Sequence, residues 1–80
     1  MDIPEFRHLY AKARDALEGG RDAWCVQSTG EKVAVALILN RADWLNSIEY
    51  TLAEALERTG PTWLELVPKI ARLLCDEPAP

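Results

Sequence analysis

The sequence contains few of the side chains on which catalytic and metal sites usually depend, with one histidine and two cysteines. It has no glycine-rich phosphate loop, no His-Glu-x-x-His segment and no Cys-x-x-Cys pair, the motifs of nucleotide sites, zinc proteases and thiol or zinc centres. The histidine, His8, falls beside Arg7 on the expected solvent side of a helix. The sequence therefore predicts a protein that is not an enzyme and has no cofactor or metal ion.

The two cysteines are too far apart, and too isolated, to indicate a metal centre. Cys25 and Cys75 have no histidine or cysteine at the spacing of a zinc site. We expect both to be buried, reduced thiols, and a disulfide between them is the alternative.

Long apolar runs are also missing. The longest extends only from Val33 to Leu39, whereas a bilayer-spanning helix needs about 20 apolar residues. The chain begins Met1-Asp2, without the basic and apolar segments of a signal peptide. We therefore expect an intracellular protein that makes no contact with a membrane.

The sequence has fewer basic than acidic residues. Nine lysines and arginines stand against thirteen acidic residues, for a net charge of −4 and a pI near 4.8. Proteins that bind phosphate backbones carry the opposite charge. Direct binding to nucleic acid is therefore disfavoured, whereas attraction to a basic protein surface is permitted.

What is present is an ordinary globular composition, with 49% hydrophobic and 28% charged residues in 80. A chain of this size buries only about 60% of its unfolded surface, which leaves no room for two cores. We expect one compact domain over residues 1–80, with a frayed tail over about 76–80.

The first element is a predicted helix from Pro4 to Glu18. Its apolar residues recur at helical spacing, and Gly19-Gly20 follows as a segment that can leave the helical conformation. The residues of this apolar stripe are Phe6, Leu9, Tyr10, Ala13 and Leu17.

The middle of the chain supports two interpretations. Residues 23–27 and 32–39 are typical of two strands joined by a turn that contains Gly30, and we favour this antiparallel β-hairpin. In the alternative, Ser28 and Glu31 form a capping box that opens a helix over 29–39.

Three short helices are predicted in the second half of the chain, over 42–48, 52–58 and 63–74. Thr-x-x-Glu capping boxes at Thr51 and Thr62 begin the last two, and Pro68 predicts a kink or division inside the last one. The predicted fold class is thus α+β: an N-terminal helix, a small β-hairpin and three short helices.

A helix-turn-helix is an alternative interpretation of 51–74, because Thr59-Gly60-Pro61 separates two of these helices. The second helix would read bases, but its first positive charge is only at Lys69. Such a surface suits a polyanion poorly. DNA recognition is therefore the less favoured function.

The candidate binding residues are acidic side chains and one tryptophan. Tryptophan is enriched at interfaces, and Trp63 is expected in the exposed first turn of the last helix, whereas Trp24 and Trp44 are expected mostly in the core. Clustered carboxylates would steer the protein toward a basic partner. The candidate residues are Asp15, Glu18, Asp22, Glu31, Glu49, Glu54, Glu57 and Trp63.

Two segments carry a resemblance to known proteins. Residues 36–45 (ALILNRADWL) and 50–60 (YTLAEALERTG) resemble small proteins of proteobacterial phages and mobile elements. In its size and acidity the chain is similar to the anti-CRISPR inhibitors that such elements encode. This resemblance implies an inhibitor in the bacterial cytoplasm, acting as a DNA mimic on a basic surface of a type I CRISPR interference complex.

The sequence leaves the partner open. We expect a monomer that binds a basic protein surface, with a CRISPR effector as the suspected partner. The 49% hydrophobic content supports an alternative, a structural or scaffolding protein that self-associates through an apolar patch.

Overall fold

The described part of the chain folds into four α-helices. The computed structural model describes residues 4–76, which form α1 (Pro4–Cys25), α2 (Thr29–Ile38), α3 (Ala42–Ser47) and α4 (Leu52–Asp76). Of these residues 86% are helical, and none belongs to a strand. The predicted α+β fold is therefore wrong, and the domain is a small all-helical bundle. Asp76 ends α4, and the rest of the predicted frayed tail lies outside the described residues.

The predicted β-hairpin is replaced by α2, which begins at the capping box that was the alternative interpretation. The Glu31 amide donates to Ser28 Oγ at 3.3 Å, and the Ser28 amide donates to the Glu31 carboxylate at 3.1 Å. These two hydrogen bonds satisfy amides that would otherwise lack a partner at the start of the helix.

Helix α2 lies at the centre of the bundle and contacts α1, α3 and α4. Its buried residues are consecutive, not restricted to one stripe: Val33, Ala34, Val35, Ala36 and Ile38. A helix that is covered on all sides carries apolar residues all round. Its 3.6-residue periodicity therefore disappears, and the sequence looks like a buried strand.

Glycines interrupt the two long helices. Gly20 (φ 72°, ψ −158°) breaks α1, and Gly60 (φ 82°, ψ 162°) breaks α4, both in a backbone region that is almost exclusive to glycine. The regular part of α1 therefore ends close to the boundary predicted at Glu18. A second helical segment follows and ends at Cys25. Within α4 the break falls at Gly60, between the helices predicted over 52–58 and 63–74, and the helix does not divide at Pro68.

Helices α2 and α3 both end in a Schellman motif, with a left-handed residue after the cap. At the end of α2, Asn40 has φ 57° and the Arg41 amide donates to the Ala36 carbonyl at 2.8 Å. At the end of α3, Glu49 has φ 62° and the Tyr50 amide donates to the Leu45 carbonyl at 2.9 Å. The short helix predicted over 42–48 is confirmed as Ala42–Ser47.

Two tryptophans form the centre of the core, as expected. Trp24 and Trp44 are buried and stacked, with ring centroids 4.9 Å apart. Trp24 Nε1 donates to the Lys32 carbonyl at 2.8 Å, which satisfies its polar atom and joins α1 to α2. Cys25 and Cys75 are both free and exposed, so the prediction of buried thiols is wrong.

The capping box makes Ser28→Ala a direct test of how α2 begins. We expect the free energy of unfolding to fall by about 1 kcal/mol, because the Glu31 amide loses its acceptor. Urea denaturation followed by circular dichroism measures this change. Thr29→Ala, at the neighbouring exposed position, is the control and should have little effect. Equal stability of the Ser28→Ala variant and the parent protein would contradict the assignment.

The conformation of Gly60 predicts opposite effects for two glycine substitutions. Gly60→Ala should destabilise the fold by about 1–3 kcal/mol, because alanine is strained in that backbone region, although no atom lies within 4 Å of the added Cβ. Gly30→Ala should stabilise α2 by up to about 1 kcal/mol, since its Cβ meets only Arg58 at 3.6 Å. Thermal or urea unfolding of both variants checks the pair, and the same sign for both would refute it.

Candidate functional site

Three of the predicted carboxylates line one open groove between α1 and the start of α2. This acidic groove has a volume of about 510 Å³. Asp15 and Glu18 come from the regular part of α1, and Glu31 comes from the first turn of α2. The full lining is Lys12, Asp15, Glu18, Gly19, Ala23, Val26, Gln27 and Glu31.

Glu31 is the most firmly held of these carboxylates. Its side chain is only 14% exposed, and its Oε2 lies 2.5 Å from His8 Nε2. Its other oxygen accepts the Ser28 amide in the capping box. Glu31 therefore joins the first turn of α2 to α1.

Several groups act on the ionisation of Glu31. Partial burial raises its pKa, but hydrogen bonds from the Ser28 amide and His8, the charge of Lys12 and the Ser28 hydroxyl together lower it more. The net pKa lies below the usual value for glutamate. Glu31 is therefore a carboxylate in the folded protein at neutral pH.

The other two carboxylates of the groove differ in their partners. Arg14 Nε donates to Glu18 at 2.9 Å, one helical turn away. Asp15 is exposed and makes no hydrogen bond or ion pair with any described residue. Lys12 supplies the one positive charge of the lining. The groove therefore carries more negative charge than positive. Asp15 is the carboxylate of the groove that has no partner among the described residues.

Glu54 and Glu57 line a different concavity, of about 470 Å³, with Tyr50 and Arg58. Glu54 also closes the predicted capping box of α4: its amide donates to Thr51 Oγ1 at 3.1 Å, and its carboxylate accepts the Thr51 amide at 3.0 Å. The hydrogen bonds from the Thr51 amide and hydroxyl lower the pKa of Glu54. The capping box expected at Thr62 is not formed, because the helix has already resumed at Pro61.

The remaining two acidic candidates do not line either concavity. Asp22 is exposed on the segment of α1 that follows Gly20. Glu49 is exposed in the turn after α3, where its left-handed conformation ends the helix. The structure therefore divides the predicted acidic residues into two concave groups and two separate positions instead of one continuous face.

Trp63, predicted in an exposed first turn, is half-buried against the core. Its ring centroid lies 6.3 Å from that of His8. One edge of Trp63 still lines a groove of about 350 Å³ with Gly30, Arg58 and the break at Gly60.

The helix-turn-helix interpretation of 51–74 does not match the geometry of α4. The two segments are separated by a single non-helical residue, Gly60, whereas the motif has a turn of about three or four residues. Leu66 and Ile70 of the second segment are buried in the core.

Two residues in and beside the groove were missed by sequence reasoning. His8, predicted to be a solvated surface residue, is 49% exposed but contacts Glu31 from 23 positions away. Gln27 is 9% exposed, and its Nε2 donates to the Lys12 carbonyl at 2.9 Å. No local pattern indicates either contact, because both depend on how α1 and α2 pack.

Comparisons of the chain with protein-family models, curated proteins and solved structures find no match. Within residues 4–76 no three histidine, cysteine or acidic side chains are grouped so that they could hold a metal ion. No helix in the same range has both the length and the apolar character required to cross a membrane.

The lowered pKa of Glu31 predicts a pH-dependent contribution to stability. Its carboxylate stabilises the fold above the unfolded-state pKa, near 4.5, and this contribution is lost as the pH falls through the lower folded-state value. We expect Glu31→Gln to cost about 0.5–1 kcal/mol at neutral pH and progressively less in acid.

Urea denaturation at pH values from neutral to strongly acidic measures this difference. The control is Glu65→Gln, on an exposed part of α4, which removes the same charge outside the capping box. A Glu31→Gln effect that stays constant across the pH range would rule out the ionised carboxylate as its source.

Proposed function

We propose that the protein is a non-enzymatic, monomeric inhibitor of the anti-CRISPR type. In this proposal it occupies a basic, nucleic-acid-binding surface of a type I CRISPR interference complex in the bacterial cytoplasm. The acidic groove is the single observation that carries the proposal, because it places Asp15, Glu18 and Glu31 around one open concavity.

The fixed position of two of these carboxylates favours recognition. Glu31 is held by the capping box and by His8, and Glu18 by Arg14. Carboxylates that are already in place lose little conformational freedom when a basic partner approaches. Complementary charge then increases the association rate and the specificity.

The net charge of the protein also favours binding to a basic partner. A net charge of −4 favours approach to a surface that is lined with lysine and arginine. Glu54 and Glu57 line a second concavity with Tyr50 and Arg58. Competition with DNA for that surface would then account for inhibition without any catalytic step.

The test is a titration of the purified protein against type I CRISPR interference complexes. Binding is measured by biolayer interferometry at low and high salt, and target-DNA binding is measured by mobility shift. We expect binding at micromolar concentration or below that weakens with salt and reduces DNA binding. Absence of binding at micromolar concentration would remove this class of target.

A paired substitution tests the role of the acidic groove in that complex. Asp15→Asn combined with Glu18→Gln should weaken binding about tenfold, mostly through slower association. The matched control, Glu5→Gln with Glu65→Gln, removes the same charge from exposed positions outside the groove. Equal losses in the two double variants would show that only net charge matters.

Self-association is the second candidate function, and exposed leucines favour it. Leu52 is 59% exposed and Leu56 is 47% exposed, one turn apart at the start of α4. Exposed apolar residues of this size are common at interfaces between identical subunits. Light scattering over a range of protein concentrations separates the two candidates: a homodimer that survives high salt favours self-association, and a concentration-independent monomer favours the inhibitor.

A further inference from the structure

Gly60 and Pro61 together fix the break in α4. Gly60 has φ 82° and ψ 162°: the φ lies in a region that favours glycine, and the ψ is the extended value that a residue before proline adopts. Pro61 has no amide hydrogen to donate to the Glu57 carbonyl, and its ring would clash with that carbonyl in a continuous helix. Gly60 therefore permits the break, and Pro61 opposes a helix without it.

A straight α4 would not fit within the domain. Its 25 residues would extend about 37 Å, at about 1.5 Å per residue, whereas the longest dimension of the described chain is 31 Å. Ala55, in the segment before Gly60, is fully buried and holds that segment against the core. Straightening would therefore carry the segment over 61–76 away from the other helices.

The segment over 61–76 cannot leave the core without exposing apolar surface. Leu66, Ile70 and Leu74 are each no more than 9% exposed, and their spacing of four residues forms one apolar stripe. Exposure of this stripe to water is unfavourable in proportion to its area. A second copy of the chain whose own segment has also left offers the core surface that the stripe covers in the monomer.

We propose that Gly60 and Pro61 form a conformational device that keeps the protein monomeric, by preventing two copies from exchanging their 61–76 segments. With the break in place, each segment folds back on the core of its own chain. In a straight α4, each segment packs on the core of the other copy, with the same contacts as in the monomer. Exchange of an identical element in this way is a low-cost route to a dimer.

The test is the double variant Gly60→Ala with Pro61→Ala, because alanine at both positions favours a continuous helix. After refolding from urea at high protein concentration, we expect light scattering to give twice the 9.0 kDa mass of one chain. The matched control, Gly30→Ala with Thr62→Ala, raises helix propensity in α2 and α4 without changing the break, and should remain a monomer. A folded, monomeric double variant would overturn the proposal, and so would a dimer of the control.

The contact between His8 and Trp63 distinguishes exchanged segments from association of two surfaces. The two ring centroids are 6.3 Å apart, with His8 on α1 and Trp63 on the exchanged segment. In an exchanged dimer these rings belong to different chains. An isotope-filtered NOE experiment on mixed dimers of ¹³C-labelled and unlabelled chains should detect the contact between chains. A dimer in which the contact is found only within one chain would overturn the proposal.

Pro61→Ala alone decides the question if the double variant does not fold. Gly60 retains access to the conformation of the parent protein, so this variant can fold as the monomer does, but the clash with the Glu57 carbonyl is removed. We expect its dimer fraction after refolding to rise with protein concentration and to exceed that of the parent. A dimer fraction equal to that of the parent would refute the role of Pro61.

Discussion

The enclosure of α2 is the constraint on which the rest of the structure depends. A helix that is covered by α1, α3 and α4 pairs the backbone groups of its middle within itself, because water does not reach them, and the groups at its two ends need other partners. The Ser28–Glu31 capping box does this at the first turn, and the Schellman motif around Asn40 does it at the last. The other helices can then pack on every side of α2 without leaving buried amides unpaired.

The cap at the beginning of α2 also forms part of the candidate site. Glu31 completes the capping box, contacts His8 on α1 and forms part of the acidic groove. Its charge is therefore largely used in holding the fold together. Asp15 lines the same groove and makes no such contact with a described residue, so the proposed recognition role does not compete with the structural role of Glu31.

The glycine breaks determine the outline of this surface. Gly20 lets α1 change direction after its regular part, and the following segment brings Ala23 to the groove and Trp24 to the core stack. Gly60 does the same for α4, and the segment after it places Trp63 near His8. A straight α1 or α4 could not cover α2 and also form these walls, because one straight helix presents only one stripe to its neighbours.

Local sequence was sufficient for several features that depend on neighbouring residues. The capping box at Thr51, the departure from helical geometry next to Gly19 and the helix over 42–47 all follow from short-range hydrogen bonds and backbone preferences. The size and apolar surface of tryptophan also predict Trp24 and Trp44 in the core.

Contacts between distant residues decided the rest. Residues 29–38 form a helix that three other helices surround, and the apolar run that begins at Val33 is equally compatible with a buried strand. Only packing brings His8 to Glu31, turns Trp63 inward and places Gln27 and Asp15 in the lining of one groove. Contacts of this kind produce no periodic pattern in the sequence. The free energy that brings the residues together comes from burial of whole helix faces and not from their spacing along the chain.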